Sequence, residues 1–131
     1  MLTTSYPRLP NVLIVYENFL FRKTTQQILQ PHCNHVYTAH DMDSTLLCLT
    51  TAVNEDRPID VIILDEFLVF LPNTRVTLIC FLRKTGYAGK LWIATGMHYA
   101  HDVAVYLSMG ANGLLFKPYE SSSLISAVKH S

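Results

Sequence analysis

An acid, an alcohol and an amine each follow a run of apolar residues in this sequence. Asp65 follows residues 61–64, Thr95 follows residues 91–94, and Lys117 follows residues 114–116. If these runs are parallel strands, the three side chains lie beyond the carboxyl ends of the strands, where open α/β sheets bind their ligands. A carboxylate, a hydroxyl and an ammonium group that meet there predict a small polar pocket with a chemical function.

The composition limits the classes of protein to which this chain can belong. It has 131 residues, of which 50% are hydrophobic and 15% are charged, so one folded domain with a substantial core is expected. Ten basic and ten acidic side chains give a formal net charge of zero, which argues against direct nucleic-acid binding. No run approaches the roughly 20 apolar residues of a membrane span, and no signal peptide is recognisable. Three unclustered cysteines, Cys33, Cys48 and Cys80, are interpreted as reduced thiols, so we expect a cytoplasmic protein that does not enter a membrane.

Short apolar runs alternate with helical patterns along the chain. The predicted strands cover residues 11–15, 36–39, 59–64, 91–94 and 114–117. The predicted helices cover residues 19–30, 41–53, a segment that starts at residues 72 and 73, then 101–109 and 121–130. The strands are continuously apolar, as expected when helices cover both faces of a sheet. This order predicts an α/β fold with a doubly wound, five-stranded parallel sheet of the flavodoxin-like type. A leader, residues 1–10, would precede a single domain, residues 11–131.

Four segments of the sequence resemble the receiver domain of two-component response regulators, the CheY-like family. Residues 12–17 are similar to the first strand of the family, which ends in an acidic pair. Residues 60–65 are similar to its third strand, which ends in the phosphoacceptor aspartate. Residues 94–96 resemble the end of the fourth strand, with its hydroxyl side chain, and residues 110–118 resemble the Gly-Ala-x-Gly-φ-φ-x-Lys-Pro ending. The resemblance covers residues 11–129, and the separations between its functional positions are similar to those of the family.

The resemblance implies a role for each of four side chains. Asp65 would accept a phosphoryl group from a phosphohistidine, since a carboxylate can act as a nucleophile and form an acyl phosphate. Lys117 would pair with the Asp65 carboxylate and then with a phosphoryl oxygen. Thr95 would donate a hydrogen bond to the phosphoryl group and move inward. Leu114 stands where the family often has the aromatic residue that reports this movement.

The resemblance also implies a Mg²⁺ site, which this sequence supplies incompletely. Glu17, Asp65 and the backbone carbonyl of Phe67 would be the protein ligands, because Mg²⁺ prefers oxygen donors and keeps several waters. The first position of the acidic pair is Tyr16, and the missing carboxylate should weaken Mg²⁺ binding. Glu66 is a candidate substitute, but the alternation of side chains along a continuing strand would point it away from the pocket.

The leading interpretation is a stand-alone receiver, not an enzyme, in a two-component phosphorelay. Its upstream partner would be a histidine kinase or a histidine phosphotransfer protein. Its output would be a downstream protein target or a homodimer. Either would use the face of the fourth helix, fifth strand and fifth helix, which includes Val105, Tyr106, Met109 and the region of Tyr119.

A degenerate pseudo-receiver is the alternative interpretation, acting as a phosphorylation-independent interaction or dimerisation module. It is motivated by Tyr16, by the apolar residues 66–71, and by Pro72, which follows the aspartate at a greater distance than is usual in the family. A large apolar surface of this kind often marks a partner site.

Each site residue also has an ordinary structural explanation when it is taken alone. Asp65 could be a polar strand end that faces solvent, Thr95 a helix cap, and Lys117 a lysine that reaches outward from a strand end. A flavodoxin-like enzyme with a phosphate-bearing cofactor is a more remote option. The first strand is followed by residues 16–18, which form no glycine-rich phosphate loop.

Overall fold

The structure is a computed structural model that describes residues 8–69, 77–96 and 100–129. Its five strands are β1 (Asn11–Val15), β2 (His35–Ala39), β3 (Val61–Asp65), β4 (Lys90–Thr95) and β5 (Gly113–Phe116). Its five α-helices are α1 (Phe19–Leu29), α2 (Met42–Asn54), α3 (Leu78–Lys84), α4 (Ala100–Met109) and α5 (Ser121–Lys129). Strands and helices alternate along the chain, as the sequence predicts. None of the helices in the described ranges is long and apolar enough to cross a membrane.

All five strands are parallel, and their order in the sheet is β2-β1-β3-β4-β5. The predicted fold class, a doubly wound five-stranded parallel sheet, is therefore confirmed. The strand order reverses between β1 and β3, so the loops after these two strands diverge toward opposite faces of the sheet. In open α/β sheets, such a switch point opens a crevice at the carboxyl ends of the strands. Asp65 ends β3, and Tyr16 follows β1, at this crevice.

The sheet buries apolar side chains on both of its faces, which explains the continuous apolar runs. All residues of β1 and β3 are buried. Alternate residues enter two separate clusters: Leu13, Ile62 and Leu64 lie in one cluster, and Val12 and Ile63 in the other. This double burial holds the carboxyl ends of the strands at fixed positions, since a close-packed core resists displacement.

Side-chain caps begin three of the helices. Asn18 caps α1, since its side chain accepts a hydrogen bond from the Phe21 amide at 2.9 Å. Asp41 caps α2 by accepting from the Ser44 hydroxyl at 2.6 Å and from the Ser44 amide at 2.8 Å, and these two bonds lower the pKa of Asp41. Thr77 caps α3. Each cap satisfies an amide that the first helical turn leaves without a partner.

Four strands, β2 to β5, differ by one or two residues from their predicted bounds, and the differences in β3 and β5 bear on the site. Strand β3 begins at Val61 and includes Asp65, whereas residues 59–64 were predicted. Residue Asp60 is used instead to hold the start of β1, since its carboxylate accepts from the Asn11 amide at 2.8 Å. Strand β5 is shifted in the opposite direction, since it begins and ends one residue earlier than predicted, and Lys117 therefore follows the strand.

The third helix is described from its cap onward. Helix α3 starts at Leu78, directly after its cap Thr77, and it is only 7 residues long. The predicted start at residues 72 and 73 lies outside the described residues.

Candidate functional site

Asp65 and Lys117 form an ion pair at the carboxyl edge of the sheet. Lys117 Nζ lies 2.9 Å from Asp65 Oδ1, and only 6% of the Asp65 side chain is exposed. The Lys117 amide donates to the Thr95 carbonyl at 2.7 Å, which fixes the backbone of the lysine beside β4. Because a buried carboxylate is strongly unfavourable without a charged partner, the lysine accounts for the burial of Asp65. The contact predicted between these two side chains is present.

Thr95 lies beside this pair, and its hydroxyl donates a hydrogen bond to the carboxylate of Glu66. The Gly96 amide donates to Oε1 of the same carboxylate at 2.8 Å. The alternation argument against Glu66 assumed a strand that continues through this residue, and this condition is not met. Strand β3 ends at Asp65, whose Oδ1 accepts from the Phe67 amide at 3.3 Å and begins a 3-10 turn, Glu66–Leu68. The turn interrupts the alternation of the strand and directs Glu66 toward the end of β4.

Tyr16 occupies the first position of the expected acidic pair, and it is completely buried. Its hydroxyl lies 2.6 Å from the Tyr119 hydroxyl, and its ring stacks on Phe21 at a centroid distance of 5.0 Å. Burial raises the pKa of Tyr16 far above its usual value, and the neighbouring Tyr119 and Asp65 raise it further. Tyr16 therefore stays neutral and contributes packing, not negative charge, to the site.

Glu17 and Asp65 line the same open cleft, together with Phe67. The carbonyls of Tyr16 and Glu17 accept hydrogen bonds from Arg22 Nη1 at 2.6 and 3.3 Å, which hold the loop after β1 in place. The oxygen atoms of Glu17, Asp65 and the Phe67 carbonyl fit Mg²⁺, because one or two carboxylates with several waters can hold this ion. Within the described ranges, no three His, Cys, Asp or Glu side chains form a metal cluster. The donor set therefore fits an ion that is held largely by water.

Large apolar side chains surround this cleft. Phe67 is 74% exposed and Leu20 is 73% exposed, and Phe21 is exposed to a smaller extent. The rings of Phe21 and Phe67 lie 5.5 and 5.3 Å from Lys117 Nζ, within the range of cation–π interactions. Leu20 and Phe21, at the start of α1, therefore lie at the mouth of this cleft.

Two residues expected to carry a signal away from the site, Tyr106 and Leu114, pack in or against the core. Leu114, at the expected reporter position, is half-buried and packs against the core cluster that contains Ile93. Phe116 is an aromatic residue close by, and it pairs with Thr95 in the β4–β5 register. Tyr106 is buried in the core, so it cannot present its ring on the outer face of α4 as expected.

Sequence analysis missed two side chains that shape this site. The Tyr119 hydroxyl, which binds Tyr16, comes two residues after Lys117, so its position after β5 already placed it near the edge of the sheet. The guanidinium of Arg22, one helical turn after the Asn18 cap, reaches back to the loop after β1. Residues one turn apart share a helix face, and this spacing was the available signal.

Solved receiver domains have a very similar structure. The signal receiver domain of an HD domain-containing protein from Pseudomonas fluorescens Pf-5 matches with a TM-score of 0.76 at 20% identity, over 99% of this chain and 91% of that chain. The receiver domain of NtrX from Brucella abortus matches with a TM-score of 0.72 at 21% identity, over 91% of this chain and 95% of that chain. The receiver domain of the Francisella response regulator 1452 matches with a TM-score of 0.73 at 21% identity, over 92% of this chain and 94% of that chain.

No family model and no curated protein matches the sequence. The likeness to solved structures nevertheless extends over almost the full length of both partners in each comparison. The chain therefore has the fold of response-regulator receiver domains.

Proposed function

We propose that this chain is a response-regulator receiver that accepts a phosphoryl group on Asp65 from a histidine kinase or a histidine phosphotransfer protein. The observation that carries the proposal is the ion pair between Asp65 and Lys117, at the switch point of a sheet with receiver topology. A structural ion pair alone would need neither this position nor an open cleft in front of the carboxylate. Here Asp65 and Lys117 both line such a cleft.

The geometry supports an in-line attack by one oxygen of Asp65. Lys117 and the Phe67 amide hold Oδ1, and in the described part of the chain Oδ2 makes no hydrogen bond. Oδ2 would form the new O–P bond while the N–P bond to the donor's imidazole breaks, and the imidazole would leave with the electron pair of that bond. Lys117 would then offset the charge of the phosphoryl oxygens, which is the main requirement of phosphoryl transfer.

Asp65, Glu17 and the Phe67 carbonyl would hold Mg²⁺, which supplies positive charge to the transferring group. Because Tyr16 stays neutral, this chain offers one carboxylate fewer than the pattern that it resembles. We therefore expect phosphorylation to need a higher Mg²⁺ concentration than a site with three carboxylates would need.

The test is covalent labelling with acetyl phosphate and Mg²⁺, read by intact-protein mass spectrometry. Wild type should gain one phosphoryl group, and hydroxylamine should remove it, because acyl phosphates react with this nucleophile. Asp65→Asn should remain unmodified, whereas the matched control Asp43→Asn, at an exposed position of α2, should react like wild type. An unmodified wild type at millimolar Mg²⁺, or a labelled Asp65→Asn, would contradict the proposal.

The pseudo-receiver remains the second candidate, and the neutral phenol of Tyr16 together with the exposed Phe67 and Leu20 favours it. As a receiver, the chain would associate with a downstream protein or a second copy through α4, β5 and α5 only after phosphorylation. As a pseudo-receiver, it would associate to the same extent with phosphodonor, without it, and in a chelator. Sedimentation velocity under these three conditions distinguishes the two candidates.

A further inference from the structure

The carboxylate of Glu66 binds two donors at the end of β4. The Thr95 hydroxyl donates to Oε2, and the Gly96 amide donates to Oε1 at 2.8 Å. Thr95 is completely buried and Glu66 is half-buried, so these bonds are partly protected from water. Hydrogen bonds to an ionised acceptor are about twice as strong as neutral ones. A hydroxyl and an amide that converge on one anion form an anion site, and here a side chain of the protein fills it.

This anion site adjoins the proposed phosphoacceptor. Asp65 pairs with Ala94 in the β3–β4 register, and Glu66 follows Asp65 directly in the chain. A phosphoryl group on Asp65 would therefore lie close to the hydroxyl of Thr95, which is its expected partner. The Thr95 hydroxyl has one hydrogen, so it cannot donate to Glu66 and to a phosphoryl oxygen at the same time. A phosphoryl group and the Glu66 carboxylate are also both negatively charged and repel each other.

We propose that the Glu66 carboxylate competes with a phosphoryl group for the Thr95 and Gly96 donors. A phosphoryl group on Asp65 must displace Glu66 before these donors can bind the phosphoryl oxygens. Glu66 thereby sets the threshold at which the receiver switches. This inference rests on the proposed function, because the competitor is the group that Asp65 accepts. Glu66 is a positioning residue in this account, since it acts through Thr95 and Gly96.

A purely structural role for Glu66 gives a different expectation. If Glu66 only ties the turn after β3 to the end of β4, its removal would loosen the site and weaken the binding of any phosphoryl group. If Glu66 competes for the donors, its removal would strengthen that binding. The direction of the change therefore separates the two roles.

The first measurement needs no phosphodonor. Hydrogen exchange of the Gly96 amide, followed by NMR, should be slow in wild type, because its hydrogen bond to Glu66 protects it. Exchange should accelerate at least about tenfold in Glu66→Ala, the ratio expected for the loss of one charge-assisted hydrogen bond. Glu120→Ala removes an equally charged, exposed side chain and should leave the Gly96 amide unchanged. Unchanged exchange in Glu66→Ala would overturn the inference.

The second measurement is a titration with beryllofluoride, a phosphoryl mimic, at constant Mg²⁺, followed by Trp92 fluorescence and by amide shifts. Glu66→Ala should reach half-saturation at about one tenth of the concentration that wild type needs. Glu66→Gln keeps one acceptor oxygen without the charge and should lie between the two. Equal or weaker binding by Glu66→Ala would overturn the inference even if wild type binds normally.

The two measurements separate a failure of the inference from a failure of the proposed function. If neither wild type nor Glu66→Ala binds beryllofluoride, Asp65 is not a phosphoacceptor, and the threshold role of Glu66 fails together with the proposed function. If wild type binds in a manner that Asp65→Asn abolishes, while Glu66→Ala binds no more tightly, only the inference fails.

Discussion

Replacing Tyr16 with aspartate should lower the free energy of unfolding and raise the affinity for Mg²⁺. The substitution removes a completely buried ring, its stacking on Phe21 and its hydrogen bond to Tyr119. The loss of a large buried aromatic side chain costs about 3–5 kcal/mol. We therefore expect the free energy of unfolding to fall by about this amount in the absence of metal. A small domain with a stability of about 5–15 kcal/mol should remain folded.

The new carboxylate would join Asp65 and Glu17 at the cleft, so Mg²⁺ should bind more tightly and restore part of the lost stability. A ligand at a hundred times its dissociation constant stabilises the folded state by about 2.7 kcal/mol. Urea unfolding at several Mg²⁺ concentrations, followed by Trp92 fluorescence, measures this gain. Tyr16→Asn is the matched control, because it loses the same packing without adding a charge.

We expect Mg²⁺ to increase the urea midpoint of Tyr16→Asp by much more than it increases the midpoint of wild type or of Tyr16→Asn. An equal Mg²⁺ effect in both variants would show that the gain does not come from the carboxylate. The absence of any gain in Tyr16→Asp would show that position 16 does not reach the metal. Either result would refute the assignment of Tyr16 to the first position of the acidic pair.

Two further predictions concern buried groups. Lys117→Met leaves the Asp65 carboxylate buried without its cation, so the free energy of unfolding in urea should fall by roughly 3 kcal/mol. Adding Asp65→Asn should recover most of this loss. If the double variant instead loses the sum of the stability changes of the two single variants, the pairing is contradicted. Burial raises the pKa of Cys33 from 9.0 to about 11, so alkylation of Cys33, followed by peptide mass spectrometry, should accelerate steeply between pH 8 and 11. Because the pKa of Cys33 is higher in the folded state, its stabilising contribution is complete below pH 9.0 and is lost as the pH rises toward 11. A midpoint of the Cys33 alkylation profile near pH 9, as expected for an exposed thiol, would contradict this burial.

The fold could be predicted from the sequence because its main signals are local. The runs that became β1 and β3 are buried on both faces, and only a covered parallel sheet accepts such strands. The Asn18 cap and the apolar spacing of the helices are also local signals. The pairing of Asp65 with Lys117 followed from topology alone, because parallel strands deliver their carboxyl ends to one edge of the sheet.

Contacts between distant parts of the chain could not be predicted in this way. Arg83 is the clearest example, since its guanidinium donates to the carbonyls of Tyr87, Gly89 and Gly110 and to Oδ1 of Asn112. These bonds tie the end of α3 to the start of β4 and to the loop before β5. Most of the acceptors are backbone carbonyls, which every sequence contains, so residue types give no indication of the contact. The Tyr16–Tyr119 pair was missed for a similar reason, because the two residues are far apart in the sequence.

The direction of Glu66 was missed because a single hydrogen bond decides it. Alternation holds only while the backbone stays in the sheet, and the Asp65 carboxylate ends the strand by accepting from the Phe67 amide. The carboxylate that we propose as phosphoacceptor therefore also shapes the turn that brings Glu66 to Thr95. Phosphorylation would convert this carboxylate into an acyl phosphate, whose carbonyl oxygen is a weaker hydrogen-bond acceptor. It would therefore weaken the bond from the Phe67 amide that holds the turn. Chemistry at Asp65 and release of Thr95 from Glu66 would then be coupled through two adjacent residues.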